Sequence, residues 1–498
     1  MVKIKRLFLA GCLFAFGIAV SYAVYRVYRQ NCIQNQNLLH IANPPVIVEL
    51  RETNLPIVSI NTKGGLKSLS CGNSINSLVY IINNGEGQIN YADTLQHTGQ
   101  HFDFNGHAFI HCRGASSMLL DKKSFSIKLT TKKADNKVEK ELLGMNKSDK
   151  WYLLAVHKDG TMMRDALTYE LARPYFDFVP QIRFCEVLID GKYQGVYLLT
   201  ESVSNDRLGL KKSDRNDDEL LGGYILEKDR EETFKSKYLA RDCSGNEIGN
   251  ERVGFEIKFP KPQKLTSKQL QHIQNELAQM EDAIAGGNYA EYSKFIDVLS
   301  FASYQLVQEF SNNRDAYICS HKLYRPVGNT AMFKMVPWDF DIAYGNSPGR
   351  NGWYTDIIRY EADCEDQRLE PFWWNKLMQD ATYCQIVKKR WQQFRNEAYS
   401  NANIEHKIDS LYRLLTLCHA INRNQSAWNV TKDTWLTRPL AFEESVCFLR
   451  LWIISRLDYM DAEILGIPSN ETKRDSVYRE IGKMILCKNY ASTPVSDH

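Results

Sequence analysis

Residues 124–129 read Ser-Phe-Ser-Ile-Lys-Leu. This strict alternation puts Phe125, Ile127 and Leu129 on one face of a strand and Ser124, Ser126 and Lys128 on the other. Short stretches of this kind dominate the chain from about residue 56 to 130, with turn signals at Gly64-Gly65, Asn83-Asn84-Gly85 and Asn105-Gly106. The period then lengthens. Over 161–172, Met163, Ala166, Leu167 and Leu171 recur at helical spacing, with Asp159 placed to cap the start and Arg173-Pro174 to end it. Two apolar β runs, 184–189 and 194–200, meet at Asp190-Gly191, a hairpin dipeptide. Glu201 opens a more polar connection, and 220–227 and 254–259 read as further strands. From Ser267 onward apolar residues fall at three-to-four spacing over 269–285, 292–312, 371–396, 403–418 and 443–465. The pattern predicts an α+β chain: a β-rich opening part, one helix, a hairpin, and a larger, mainly helical second part.

A chain of 498 residues, 44% hydrophobic and 24% charged, can bury one large core or two to three smaller ones. Its net charge of +3 gives no reason to expect a nucleic-acid partner. The amino terminus differs from the rest. Lys3, Lys5 and Arg6 precede a nearly unbroken apolar run over 7–25, long enough to cross a bilayer as a helix, and Arg26 and Arg29 follow it. The preferred reading is an uncleaved signal anchor with Lys3 to Arg6 on the cytoplasmic side and the bulk of the chain outside the cytoplasm. A signal peptide cleaved near Ser21 to Ala23, and a lipoprotein box Leu9-Ala10-Gly11-Cys12 that would lipidate Cys12, are the alternatives. The 12 cysteines form no C-x-x-C pair, so no structural zinc is indicated, and most read as small buried hydrophobes.

Candidate chemistry concentrates between residues 312 and 345. Asn312-Asn313-Arg314-Asp315, reaching Ser320, is followed after the apolar run 331–336 by Trp338-Asp339-Phe340-Asp341. Carboxylates on loops beside a strand suit a hard divalent cation, which binds through one or two carboxylates plus substrate phosphates. Asp339 and Asp341, at i and i+2, would share a face if the backbone there were extended. A β part with an outward lysine, one helix, a hairpin, a connection, a helical part and then loop carboxylates follow the order of a protein kinase.

Five motifs in that order carry a resemblance to the CotH (spore-coat protein H) kinase family, an atypical protein-kinase-like group. They are Arg113-Gly114-Ala115-Ser116-Ser117 before Lys122-Lys123-Ser124-Phe125; Gly195-Val196-Tyr197-Leu198-Leu199; Gly222-Gly223-Tyr224-Ile225-Leu226-Glu227; Asn313 to Asp315; and Trp338-Asp339-Phe340-Asp341. The stretch through Arg456-Leu457-Asp458-Tyr459-Met460-Asp461 resembles the family's closing segment.

The resemblance implies a two-lobed, kinase-like fold. A membrane segment (1–30) and a tether (31–55) would precede a β-rich lobe (56–205) and a mainly helical lobe (206–466), with a tail over 467–498. It implies that Lys128 is the nucleotide lysine, with Lys123 the runner-up, and Glu170 its ion-pair partner. Arg113, Ser116 and Ser117 would replace the absent glycine-rich loop, with Arg164 a further candidate for phosphate, and Glu201 would lie at the nucleotide site. Asp315 resembles the catalytic aspartate, and Asp339 and Asp341 the metal carboxylates. Ser320 stands where kinases place a metal-binding Asn. The implied cofactors are ATP with Mg²⁺ or Mn²⁺, the implied partner a protein bearing Ser or Thr acceptors, and the implied reaction γ-phosphoryl transfer. A nucleotidyl transferase, or a membrane-tethered envelope or adhesion module without turnover, are the competing readings.

Overall fold

A computed structural model describes residues 46–64, 73–114, 116–211, 222–241, 247–328, 330–347, 370–428 and 440–469, together with 44, 355, 356, 476, 479 and 480. The expected membrane segment, most of the tether and most of the tail lie outside the described residues. Among the described residues no helix is long and apolar enough to cross a membrane.

Seven strands close into a barrel: β1 (Ile57–Asn61), β2 (Ile75–Ile82), β3 (Phe102–Arg113), β4 (Ser124–Thr130), β5 (Lys150–Leu154), β6 (Ile182–Ile189) and β7 (Lys192–Glu201). Their order around the barrel is β6-β7-β5-β4-β3-β2-β1, and the parallel pairing of β6 with β1 completes the circle. Closure removes the exposed edges that an open sheet would present. Alternation along the strands fills the interior, where Phe125, Ile127, Leu129, Leu153, Val187 and Leu199 are buried together. The β6–β7 hairpin turns at Asp190-Gly191, both with positive φ (49° and 76°). The Asp190 carboxylate accepts from the Thr62 amide and hydroxyl at 2.7 and 2.5 Å, tying the turn to the end of β1.

Asn105-Gly106, expected as a turn, lies inside β3 opposite Tyr80 and Val79. The Phe104 ring covers Gly106 so closely that an added Cβ would sit 2.7 Å from it. The glycine marks a close approach within a strand, not a reversal.

The second part opens with a five-stranded sheet that the sequence pattern showed only in pieces. Its strands are β8 (Tyr224–Lys228), β9 (Phe234–Arg241), β10 (Glu247–Phe259), β11 (His321–Arg325) and β12 (Lys334–Val336), in the order β9-β10-β8-β11-β12. The longer helices are α1 (Arg164–Ala172), α2 (Ser267–Gly286), α3 (Val298–Ser311), α4 (Ala381–Asn396), α5 (Asn401–Thr416), α6 (Ala420–Ala427) and α7 (Phe442–Met460); α2 packs on β9, α3 on β12 and on α4, and α6 on β7 of the barrel. Helix α1 begins later than the pattern predicts. Asp159 organises the turn before it, accepting from the Thr161 and Arg164 amides at 2.9 Å each. The predicted 371–396 helix is split, because Asp380 caps α4 through the Thr382 amide at 2.7 Å. Arg456 of α7 is buried and donates to the carbonyls of Glu309 (2.9 Å) and Thr355 (2.7 Å), which fixes the end of α3 where the acidic stretch begins.

Among the described residues Cys185, Cys384, Cys418 and Cys447 are free thiols, and Cys112, Cys185 and Cys319 are buried, as small hydrophobes would be.

Candidate active site

The two acidic stretches meet because of a hairpin register. In β11 and β12, Lys322 faces Val336, Leu323 faces Met335 and Tyr324 faces Lys334. Ser320, just before β11, and Trp338-Asp339, just after β12, therefore leave the sheet at the same end. Two side chains then join the stretches. Asn313 Nδ2 donates to the Asp339 carbonyl at 3.0 Å, and the Ser320 hydroxyl donates to Asp339 Oδ2 at 2.8 Å. The backbone is bent sharply around this junction, with positive φ at Asn312 (43°), Tyr317 (66°), Ser320 (53°), Asp339 (68°) and Tyr344 (51°). Such conformations persist where the surroundings over-determine them, and they cluster at functional sites. The shared-face argument for Asp339 and Asp341 on an extended strand does not hold: β12 stops at Val336, and it is this bend that turns both acids inward.

These residues line a cavity of about 810 Å³ between the barrel and the second sheet. Asp165, Asp315, Asp339 and Asp341 contribute to its wall, as do Ser320, Arg113, Ser117, Lys122 and Lys322. The acids feel one another. Burial, then the charges of Asp339, Asp165 and Asp315, push the Asp341 carboxyl well above the usual carboxylate range. Burial also raises Asp339, against the pull of the Ser320 hydroxyl, with Asp315 adding to the rise. Asp165 is pushed up to about 7 by burial and by Asp339. Asp165 also anchors the acidic stretch, accepting from the Phe340 amide at 2.7 Å, while the Tyr169 hydroxyl accepts from the Asp339 amide at 3.2 Å.

The same cavity also carries cationic and aromatic groups. The Arg113 guanidinium lies 4.0 Å from the centre of the Tyr152 ring and 5.9 Å from that of Trp338; the Lys322 ammonium lies 5.5 Å from Trp338. Lys322 is paired with Glu227, which Lys258 also reaches at 3.0 Å. Burial alone would raise Glu227, but the two ammonium groups outweigh it and hold the carboxyl at about 2. Lys122 is buried at the cavity wall and donates to the carbonyls of Ala155 (3.0 Å) and Val196 (2.5 Å) and to Asn424 Oδ1 (3.0 Å).

Several residues expected at the site lie elsewhere. Lys128 does project outward from β4, but Ser124 is the residue of that strand that reaches the cavity. At about 3.3 Å per residue Lys128 lies roughly 13 Å further along, opposite Lys150. Glu170 bonds Lys407 at 2.9 Å and cannot serve Lys128. Five helical positions place it about 140° around α1 from Asp165, which takes the inward position. Lys123 donates to the carbonyls of Met118 (2.8 Å) and Leu120 (2.5 Å), securing the 116–120 loop instead of entering the cavity. Ser117 lines the cavity; the side chain of Ser116 lies outside the described residues. Glu201 is buried off the cavity wall, accepting from the Gln181 amide at 3.0 Å and facing Arg207 at 3.4 Å. Arg164 is buried and structural, paired with Asp159 and donating to the Ala343 carbonyl at 3.0 Å.

Asp165, Lys322 and Tyr152 line the cavity and were missed by the pattern, while Lys122 and Glu227 were visible only as members of motifs without a role.

Hard carboxylate and hydroxyl oxygens suit Mg²⁺ or Mn²⁺, and a buried acid cluster without full charge compensation is what such a cation would relieve. Among the described residues, however, no three His, Cys, Asp or Glu side chains are set to hold a metal by themselves. Waters and phosphate oxygens would have to complete the shell. Ser320 is turned to Asp339 and orients that carboxylate.

Fold and site together define a mixed α+β protein with a cavity lined by a carboxylate cluster and by arginine and lysine. The family model described as CotH kinase protein matches residues 110–460, and the chain belongs to that family. Inner spore coat protein H of Bacillus subtilis (strain 168) is 25% identical over 211 residues, 42% of this chain and 54% of that protein. The chain thus spans about half the length of the curated relative it matches.

Proposed function

We propose that this protein transfers the γ-phosphoryl group of ATP to a Ser or Thr hydroxyl of a protein, with Mg²⁺ or Mn²⁺. The observation that carries this reading is the gathering around one cavity of Asp315, Asp339 and Asp341 together with Arg113 and Lys322. The barrel over 57–201 and the sheet-and-helix body beyond it support a two-lobed, kinase-like arrangement, with the cavity between them.

Phosphoryl transfer needs positioning and charge neutralisation more than covalent chemistry. In this reading Arg113 binds phosphate oxygens, Lys322 stands nearby over Trp338, and Lys122, whose three N–H groups are spent on protein oxygens, adds only its charge to the cavity wall. Asp339, oriented by Ser320, and Asp341 would hold the cation, which when bound would neutralise charge on the phosphates. Asp315 orients the acceptor hydroxyl and takes its proton; it is half-buried, with its main chain held by the Ile318 and Cys319 amides at 3.1 and 3.0 Å. The name of the Bacillus relative, inner spore coat protein H, supports a coat or surface setting, in keeping with the expected export of the bulk of the chain.

The test is transfer of label from γ-labelled ATP by the wild type, Asp315→Ala and Asp339→Ala. A loss of about 10²–10⁴-fold is expected in each variant. Equal transfer by all three would refute the assignment, retention of α-label would favour nucleotidyl transfer, and binding without transfer would favour a module without turnover.

A further inference from the structure

Of the eight large apolar side chains exposed among the described residues, five fall on three segments: Val46 and Ile47, then Leu95, then Leu414 and Leu417. Ile47 and Leu95 are 99% and 87% exposed. Single apolar residues on a surface need no explanation, whereas a group gathered in one place marks a contact.

Backbone contacts gather these segments. Glu52–Thr53 pairs antiparallel with Asn90–Tyr91, and the Ala92 amide donates to the Arg51 carbonyl at 2.9 Å. Carried outward, that register sets residue 95 opposite residue 48, and Val48 and Ala92 pack into the same small core. On the other side, Asn54 Nδ2 donates to the Leu414 carbonyl at 3.2 Å, and the 52–53 strand packs on the turn Leu417–His419. Cys418 and His419 are both left-handed (φ 51° and 59°), which makes that turn a sharp corner between α5 and α6 with Leu417 exposed on it. The charges nearby are occupied locally. Arg51 pairs with Glu49 at 3.0 Å, and the Asp93 carboxylate accepts from the Leu95 and Gln96 amides of its own turn at 2.9 and 3.1 Å.

The occupant follows from the chain itself. Val46 and Ile47 belong to the end of the tether, and Leu50 fixes that end to the body by packing with Ala427 and Trp428. Residues 26–45 alone separate Val46 from the apolar run over 7–25. Even fully extended, they reach no further than about 70 Å. Docking of this corner onto the bilayer is then an intramolecular step, for which an apolar contact too weak to recruit a free protein suffices.

We propose that this corner is the membrane-facing surface of the protein, with Ile47, Leu95, Leu414 and Leu417 seated at the headgroup–acyl boundary of the bilayer that holds residues 7–25. The inference rests on the anchor reading of the amino terminus and is independent of the phosphoryl-transfer reading. The contact is apolar, so it needs no anionic lipid and persists at high salt.

The experiment uses the full chain, produced with photoreactive leucine and reconstituted into phosphatidylcholine vesicles at high salt. After illumination, peptide masses identify what each leucine has joined. Lipid adducts are expected at Leu95, Leu414 and Leu417 as well as at Leu7 and Leu9 of the apolar run. Leu299, exposed on α3 outside these segments, is the internal control and should stay free of lipid. The double variant Ile47→Ser with Leu417→Ser should lose about tenfold or more of the lipid adducts at Leu95, since two large apolar side chains no longer leave water. It should keep the adducts at Leu7 and Leu9 and its melting temperature, because both positions are exposed.

Lipid adducts confined to the apolar run, or Leu95 and Leu417 joined to a second copy of the chain or to residues 26–45, would overturn the docking and leave the anchor standing. Lipid at neither place would overturn both. Lipid at Leu95 and Leu417 but not at Leu7 and Leu9 would remove the anchor and leave this corner as the membrane contact.

Discussion

Glu227 offers the sharpest test of how the cavity is held together, because two lysines depend on it. Replacing it by Gln keeps the shape but leaves Lys322, whose side chain is only 10% exposed, without its anion. The Glu227 carboxyl falls from an ordinary 4.5 to about 2 in the folded protein. That shift of about 2.5 units corresponds to roughly 3 kcal/mol of stability at neutral pH. Lys258 is more exposed, so its share is screened by solvent, and a loss of about 2–3 kcal/mol is expected for Glu227→Gln. The sign follows from the depressed value: the contribution is complete above the unfolded pKa and is lost as pH falls from about 4.5 through about 2. Urea unfolding of wild type and variant at pH 7 should show the full difference, and at pH 3.5 the difference should shrink by about 1.4 kcal/mol. Removing both partners, Glu227→Gln with Lys322→Met, should recover much of the stability, since an uncompensated buried charge is worse than none. Phosphoryl transfer should not recover, because Lys322 also faces the cavity. A difference below about 1 kcal/mol at pH 7, a difference insensitive to pH, or a double variant as unstable as the single would refute this account of the network.

Two further outcomes follow from the placement of individual side chains. Lys128→Ala should leave nucleotide affinity and transfer unchanged and shift stability by no more than about 0.5 kcal/mol, as befits an exposed side chain away from the cavity; calorimetry and urea unfolding check both parts. Gly195→Ala should destabilise by about 2 kcal/mol or more in urea unfolding, since φ of 102° is strained for any side chain and the new methyl would press on Asn424 and Lys122.

The contrast between Lys128 and Lys122 shows where the reach of the sequence ended. Alternation over 124–129 correctly assigned the strand and its buried face, because period-two patterning is a direct consequence of the pleat. It could not say how far along the strand the cavity would open. That was decided by closure of the barrel and by the loops at one end, both set by contacts between residues far apart in the chain. Helix α1 posed the same problem. Its pattern predicted a helix ending at Arg173-Pro174, yet whether Asp165 or Glu170 faced the acids depended on what covered the other side, and Lys407 lies 237 positions beyond Glu170.

The acidic stretches were legible for the converse reason. Asp315, Ser320 and Asp339 are brought together by a single hairpin, whose register is a local property of the apolar run between them. Even there, the geometry differed from an extended strand with acids on one face. The positive φ at Ser320 and Asp339 places the carboxylate and the hydroxyl against each other, so Ser320 acts on the orientation of Asp339. In the proposed reading, a shorter side chain than Asn at that position would give up direct reach toward the cation and instead fix the carboxylate that would hold it.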